Sequence, residues 1–144
     1  MEQLLGGFLI FGIFLLIFAI VAYFLSAIAL SKIASNRGIA NSWLAFIPIA
    51  NLYLQGLIIK EFDVFNFKIE KPEFVLPIVA ILPLVLVEAG AIGSIVSLLC
   101  IIVSFFAMYR LYFILDKDTA QRNILLSIFL PITAPFILYS LRNK

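Results

Sequence analysis

Asn51, Gln55 and Glu88 are polar side chains set within or between apolar stretches of this chain, and they are the residues that could handle a solute. An ionisable group inside a membrane is a candidate proton or cation site. Other chemistry falls by subtraction. The 144 residues contain no His and one Cys, Cys100, so the chain can form no internal disulfide and build no zinc or haem site. Intramembrane proteolysis needs a Ser with His or Lys, a pair of Asp, or a metal set. Asp116 and Asp118 sit beyond the end of an apolar run, and Ser26, Ser94, Ser97 and Ser104 have no base within reach. Gly6-Gly7 has neither the preceding strand nor the following Lys of a phosphate loop. No catalytic residue, cofactor-binding residue or metal ligand is expected, and the chain reads as non-enzymatic.

The elements that position these side chains are membrane segments. Hydrophobic residues make up 65% of the chain and charged ones 12%, against about half and a quarter in a soluble domain. The expected fold is an all-α integral membrane protein, a bundle of four to five transmembrane or re-entrant helices in one membrane domain, residues 1–144. The segments fall at about 4–30, 43–59, 74–88, 91–115 and 123–141. The first is too long for a signal-peptide core and no basic residue precedes it, so it reads as a retained anchor. Gly38 should break the first helix. Residues 74–115 would be about 63 Å as one helix, twice a bilayer core, so they must fold back, with the turn expected at Glu88. Residues 60–73 carry a broken alternation, Phe62, Val64, Phe67 and Ile69, among charges. Either a plain polar loop or an interfacial stretch with its aromatics in the headgroups fits.

Basic residues bear on topology. If all five segments cross, the ten Lys and Arg divide six and four between the two sides. If 43–59 returns to the side it entered from, the division is eight and two; if 123–141 also returns, all ten share one side. The positive-inside rule favours the returning arrangements, and Pro48, Pro131 and Pro135 interrupt both segments. Tyr109, Arg110 and Tyr112 suit a membrane–water boundary.

Two rows of small residues run at helical spacing: Gly12, Ala19, Ala22, Ser26 and Ala29, and then Gly90, Gly93, Ser97, Cys100, Ser104 and Ala107. Steps of three and four residues put each row on one helix face, where small side chains let helices approach closely in lipid. The first and fourth segments are expected to pack through these seams, within one chain or between copies. Phe46-Ile47-Pro48-Ile49 recurs as Phe129-Leu130-Pro131-Ile132, and more loosely as Ile81-Leu82-Pro83-Leu84, the kind of repeat seen in transporters with paired broken helices.

The stretch Trp43-Leu-Ala-Phe-Ile-Pro-Ile-Ala-Asn-Leu-Tyr53 resembles a family of small, uncharacterised bacterial multi-pass membrane proteins. The C-terminal phrase from Leu125 through Pro131 and Pro135 to Arg142-Asn-Lys144 is similar to the ends of such proteins in Gram-positive bacteria. Residues 60–73 depart from that pattern. The resemblance implies an inner-membrane location, brings no activity, and draws notice to Asn51 and Tyr53; Asn51 could cap backbone groups freed by Pro48. The partners expected are the lipid bilayer and another membrane protein or a second copy, with no nucleic acid and no cofactor. The function expected is a partner-binding or regulatory component, such as an accessory subunit or immunity-type protein. The alternative is a small transporter or channel subunit.

Overall fold

The computed structural model describes residues 1–143 and is mostly helical. In chain order come α1 (Glu2–Asn36), a 3₁₀ turn (Ser42–Phe46), α2 (Ala50–Ile59), β1 (Phe62–Val64), β2 (Phe67–Ile69), α3 (Pro72–Val85) and α4 (Gly90–Leu115). They are followed by α5 (Ala120–Phe129), a second 3₁₀ turn (Pro131–Thr133) and α6 (Ala134–Ser140). Two helices, α1 and α4, are long and apolar enough to cross a membrane.

α1 stops where Gly38 takes a left-handed conformation, φ +69°, and the Ile39 N–H reaches back to the Ala34 carbonyl at 3.0 Å. From there the chain runs back along α1. The Tyr23 hydroxyl donates to the Phe46 carbonyl, so Phe46 lies beside the middle of α1. Pro48 and Ile49 then reverse the direction, and α2 returns toward the end the chain had left. α3 and α4 form an antiparallel pair joined by residues 86–89, with Glu88 exposed in that turn. After α4 the pattern repeats: α5 runs inward, the turn at Pro131 reverses it, and α6 comes back along α1, with Phe136 against Phe18 at 6.3 Å. The Pro phrases at 46–49 and 129–132 therefore both fall at reversals, whereas Pro83 lies inside α3.

Three hydrogen bonds tie the ends together. Arg37 donates from Nη2 to the Ile114 carbonyl at 3.4 Å, Asn36 from Nδ2 to the Arg142 carbonyl at 3.2 Å, and Arg110 from Nε to the Glu61 carbonyl at 3.3 Å. The C-terminal ends of α1, α4 and α6 and the β-hairpin thus share one end of the molecule. Lys32, Arg37, Lys60, Lys68, Lys71, Arg110, Lys117, Arg122 and Arg142 all belong to it, and Lys144 lies outside the described residues. Glu2 and Glu88 are at the far end.

The buried core sits toward the basic end, where Leu30, Ile33, Leu54, Ile58, Leu111 and Tyr112 meet. The buried residues of α1 begin at Ala27; its apolar N-terminal part, including Phe8, Phe11 and Phe14, is exposed on every side. Of the first small-residue row only Ala29 is buried, Ala22 and Ser26 are half-buried, and Gly12 and Ala19 are exposed. Within the chain the two rows do not make the main contact: α1 packs chiefly on α6 and on the first 3₁₀ turn, and α4 on α3 and α5. The returning segments take the place beside α1 that the seam reading gave to α4. In the second row Gly93, Cys100 and Ala107 are buried at seven-residue steps, while Gly90 and Ser104 are exposed and Ser97 is half-buried. Gly93 is small because the Leu86 carbonyl of the α3–α4 turn lies against it.

α2 is bracketed by two tight reversals. Ile49 has φ 69° and ψ −51°, with the Ala50 N–H on the Pro48 carbonyl at 2.7 Å; Lys60 has φ 66° and ψ −56°, with the Glu61 N–H on the Ile59 carbonyl at 2.8 Å. These are the rare, strained form of γ-turn. Positive φ on a β-branched residue costs about 1–3 kcal/mol, more than the roughly 0.5–1 kcal/mol that glycine loses in conformational freedom. Ile49→Gly is expected to stabilise the protein by about 1 kcal/mol, measured as a raised midpoint of unfolding. A lowered midpoint would mean that the exposed Ile49 side chain contributes more than the strain.

Candidate functional site

The chain reversals bring four helices around one cavity of about 140 Å³. Ser26 of α1, Gln55 of α2, Met108, Leu111 and Tyr112 of α4, and Ala134, Pro135 and Leu138 of α6 line it. Each arrives for a local reason. Pro135 is tolerated because it lies in the first turn of α6, where no intrahelical N–H bond is lost. Gln55 faces inward because α2 buries the adjacent Leu54 and Gly56, the latter pressed onto the start of α3. Ser26 sits where α1 changes from exposed to buried.

Behind the cavity runs a chain of hydrogen bonds. The Tyr112 hydroxyl is 2.9 Å from Ser127 Oγ, Ser127 Oγ donates to the Asn123 carbonyl at 2.9 Å, and Asn123 Nδ2 donates to Thr119 Oγ1 at 3.2 Å. Tyr112, Asn123 and Ser127 are all buried, and every fully buried polar side-chain atom among the described residues has a partner. Asn123 and Ser127 were not singled out in the sequence, and Tyr112 only as a boundary residue, although Thr119, Asn123 and Ser127 recur every four residues and so form one polar stripe. Tyr112→Phe removes one bond and leaves Ser127 still bonded to Asn123. A loss of about 1 kcal/mol is expected, read from unfolding; a loss several times larger would show that the whole stripe depends on the phenol.

At the basic end Glu61, Phe62, Asp63, Lys68 and Arg110 surround an open crevice of about 250 Å³. The hairpin that carries it pairs Phe62 with Ile69, Asp63 with Lys68 and Val64 with Phe67. Phe62 and Val64 face the core, Phe67 is 80% exposed, and the Phe65 ring lies 5.4 Å from Phe106. Lys68 Nζ is 3.0 Å from Glu61 Oε2. The hydrogen bond to Glu61 first, and its charge second, hold the Lys68 ammonium above its usual 10.5. The Lys68 charge, and the pair with it, is lost as pH climbs past that raised value. Arg110 also lies 5.6 Å over the Phe113 ring.

The sequence candidates are thus separated. Gln55 lines the cavity together with Ser26 from the first small-residue row. Asn51, one turn earlier on α2, is half-buried but does not line it, and its side chain caps nothing: the Ile47 carbonyl is met by the backbone N–H of Asn51 at 2.9 Å. Pro48 is followed by a γ-turn that uses its carbonyl, which leaves no task for an Asn51 cap. Glu88 stands at the opposite end, exposed, as its turn position implies. Ser94, Ser97 and Ser104 donate to the carbonyls of Gly90, Gly93 and Cys100 within α4. Among the described residues no three of Cys, Asp and Glu gather closely enough to hold a metal ion. Comparison with protein-family models, curated proteins and solved structures found no match to this chain.

Proposed function

We propose that the chain is a multi-pass protein of the bacterial inner membrane that binds another membrane component through the free part of α1. In this reading α1 and the α3–α4 pair cross the bilayer. α2 and the α5–α6 pair enter and return, and the basic end faces the cytoplasm, as the positive-inside rule requires. At 1.5 Å per residue the 35 residues of α1 reach about 52 Å and the 26 of α4 about 39 Å, enough for a core of about 30 Å.

The observation that carries the reading is the pair Gly12 and Ala19. They lie on one face of a helix that packs on nothing there, and a Cβ added at Gly12 would meet no atom within 4 Å. Lipid needs no small residue, whereas a helix approaching at close range does. The protein is then an accessory or immunity-type component, or a homo-oligomer, and performs no catalysis.

The test is a photo-crosslinker at Leu15, between the two small residues, in native membranes. A discrete crosslinked protein is expected, and Gly12→Leu with Ala19→Leu should abolish it. Crosslinks to lipid alone would overturn the reading. The cavity beside Gln55, enclosed by two returning Pro-broken segments, favours a second reading as a small transporter or channel subunit. Solute flux in liposomes that is lost in Gln55→Ala would support it, and unchanged flux would remove it.

A further inference from the structure

We propose that the cavity between α1, α2, α4 and α6 is a binding site for a small uncharged solute that both donates and accepts hydrogen bonds, such as a simple amide.

Its polar groups are Ser26, Gln55 and Tyr112, one from each of three helices. Their bonding capacity can be counted. Ser127 gives its one hydroxyl proton to the Asn123 carbonyl, so in the 2.9 Å contact with Tyr112 the phenol is the donor. The Tyr112 oxygen is left with acceptor capacity only. Gln55 carries two N–H donors and a carbonyl, and Ser26 a hydroxyl that does both. Neither has a hydrogen-bond partner among the described residues, yet both are half-buried rather than turned out to solvent. The remaining wall, with Leu111, Pro135 and Leu138, is apolar.

Three properties of the guest follow. It is neutral, because no Asp, Glu, Lys or Arg lines the cavity and a buried ion without a counter-charge is costly. It is small, because about 140 Å³ is close to the size that accepts a guest of about six non-hydrogen atoms. It carries both donor and acceptor, because the Gln55 amide offers both side by side, and a second amide pairs with it through two reciprocal bonds. An apolar patch on the guest meets the leucines. This binding is independent of any contact that α1 makes with a partner.

Acetamide and acetate have the same shape and differ in charge, which makes them the probes. The full chain in lipid nanodiscs is titrated with each, and saturation transfer to the methyl protons is read by NMR. Saturable transfer to acetamide and none to acetate is expected. Gln55→Leu should weaken acetamide at least tenfold, and Ala134→Phe, which fills the cavity, should abolish its binding. Equal transfer to both probes, transfer to neither, or acetamide binding unchanged in both variants would overturn the proposal. Should either variant fail to fold, the comparison of the two probes on the unaltered chain still decides. Because the α1 crosslink is read separately, failure here leaves the partner-binding result untouched.

Discussion

Gly56→Ala, the addition of one methyl group, is expected to lower the unfolding midpoint by roughly 10 °C, a loss of about 3 kcal/mol. The Cβ would fall closer than 3.0 Å to the Cα and N of Glu73 and to the carbonyl carbon of Pro72. All three are backbone atoms at the first turn of α3, and no rotamer change can move them aside. The α2–α3 pair would have to part, and with it the Tyr53–Phe74 edge-to-face contact at 6.0 Å. The energy therefore sits at the top of the range for overpacking. Gly12→Ala is the matched control, since its new methyl group meets nothing within 4 Å. Its unfolding midpoint should hold or rise slightly, because alanine loses less conformational freedom than glycine inside a helix. If the two variants unfold alike, the close approach of α2 to α3 is wrong.

The second large effect is all-or-none. With Cys100 replaced by Ala, single cysteines are placed by Asn66→Cys in the hairpin turn, Asn143→Cys after α6 and Glu88→Cys in the α3–α4 turn. A membrane-impermeant maleimide should label the first two only in inside-out vesicles and the third only in right-side-out vesicles. Five crossings would instead put the hairpin and residue 143 on opposite faces. Labelling of Asn66→Cys and Asn143→Cys from opposite sides would therefore remove the returning arrangement of α5–α6. The same experiment reports orientation, because the positive-inside rule sets the basic end toward the cytoplasm.

Much of the helical layout was legible because it is written in unbroken apolar runs and in their interruptions. The run at 91–115 emerges as α4 with one residue added at its start, and the run at 4–30 extends to Asn36, where Gly38 closes the helix. Prolines marked the segments that reverse, since Pro48 and Pro131 remove N–H groups where the chain turns. Glu88 marked its turn by solvation alone. What could not be read was which small residues meet what. Gly93 is small to admit the Leu86 carbonyl, Gly56 to admit the backbone of α3, and Gly12 faces nothing within the chain. Spacing places all three types of residue on helix faces without naming the neighbour. The polar stripe Thr119-Asn123-Ser127 escaped for another reason: its partner, Tyr112, had been assigned to the boundary, where a phenol needs no explanation. Only the antiparallel placement of α4 against α5 turns that ring toward Ser127.

The gathering of the basic residues at one end also bears on how the chain is made. In the arrangement proposed here, the link between α3 and α4 is residues 86–89, and its one charged group is the Glu88 carboxylate. Carrying a lone acidic side chain past the middle of a bilayer costs about 3 kcal/mol, and protonation in transit would lower that. The nine described Lys and Arg never make the passage. α2, and α5 with α6, need only sink into the leaflet from the side on which they were synthesised. Insertion of this protein would then demand little translocation, and α3 and α4 could enter together as a preformed hairpin whose tip is almost free of charge.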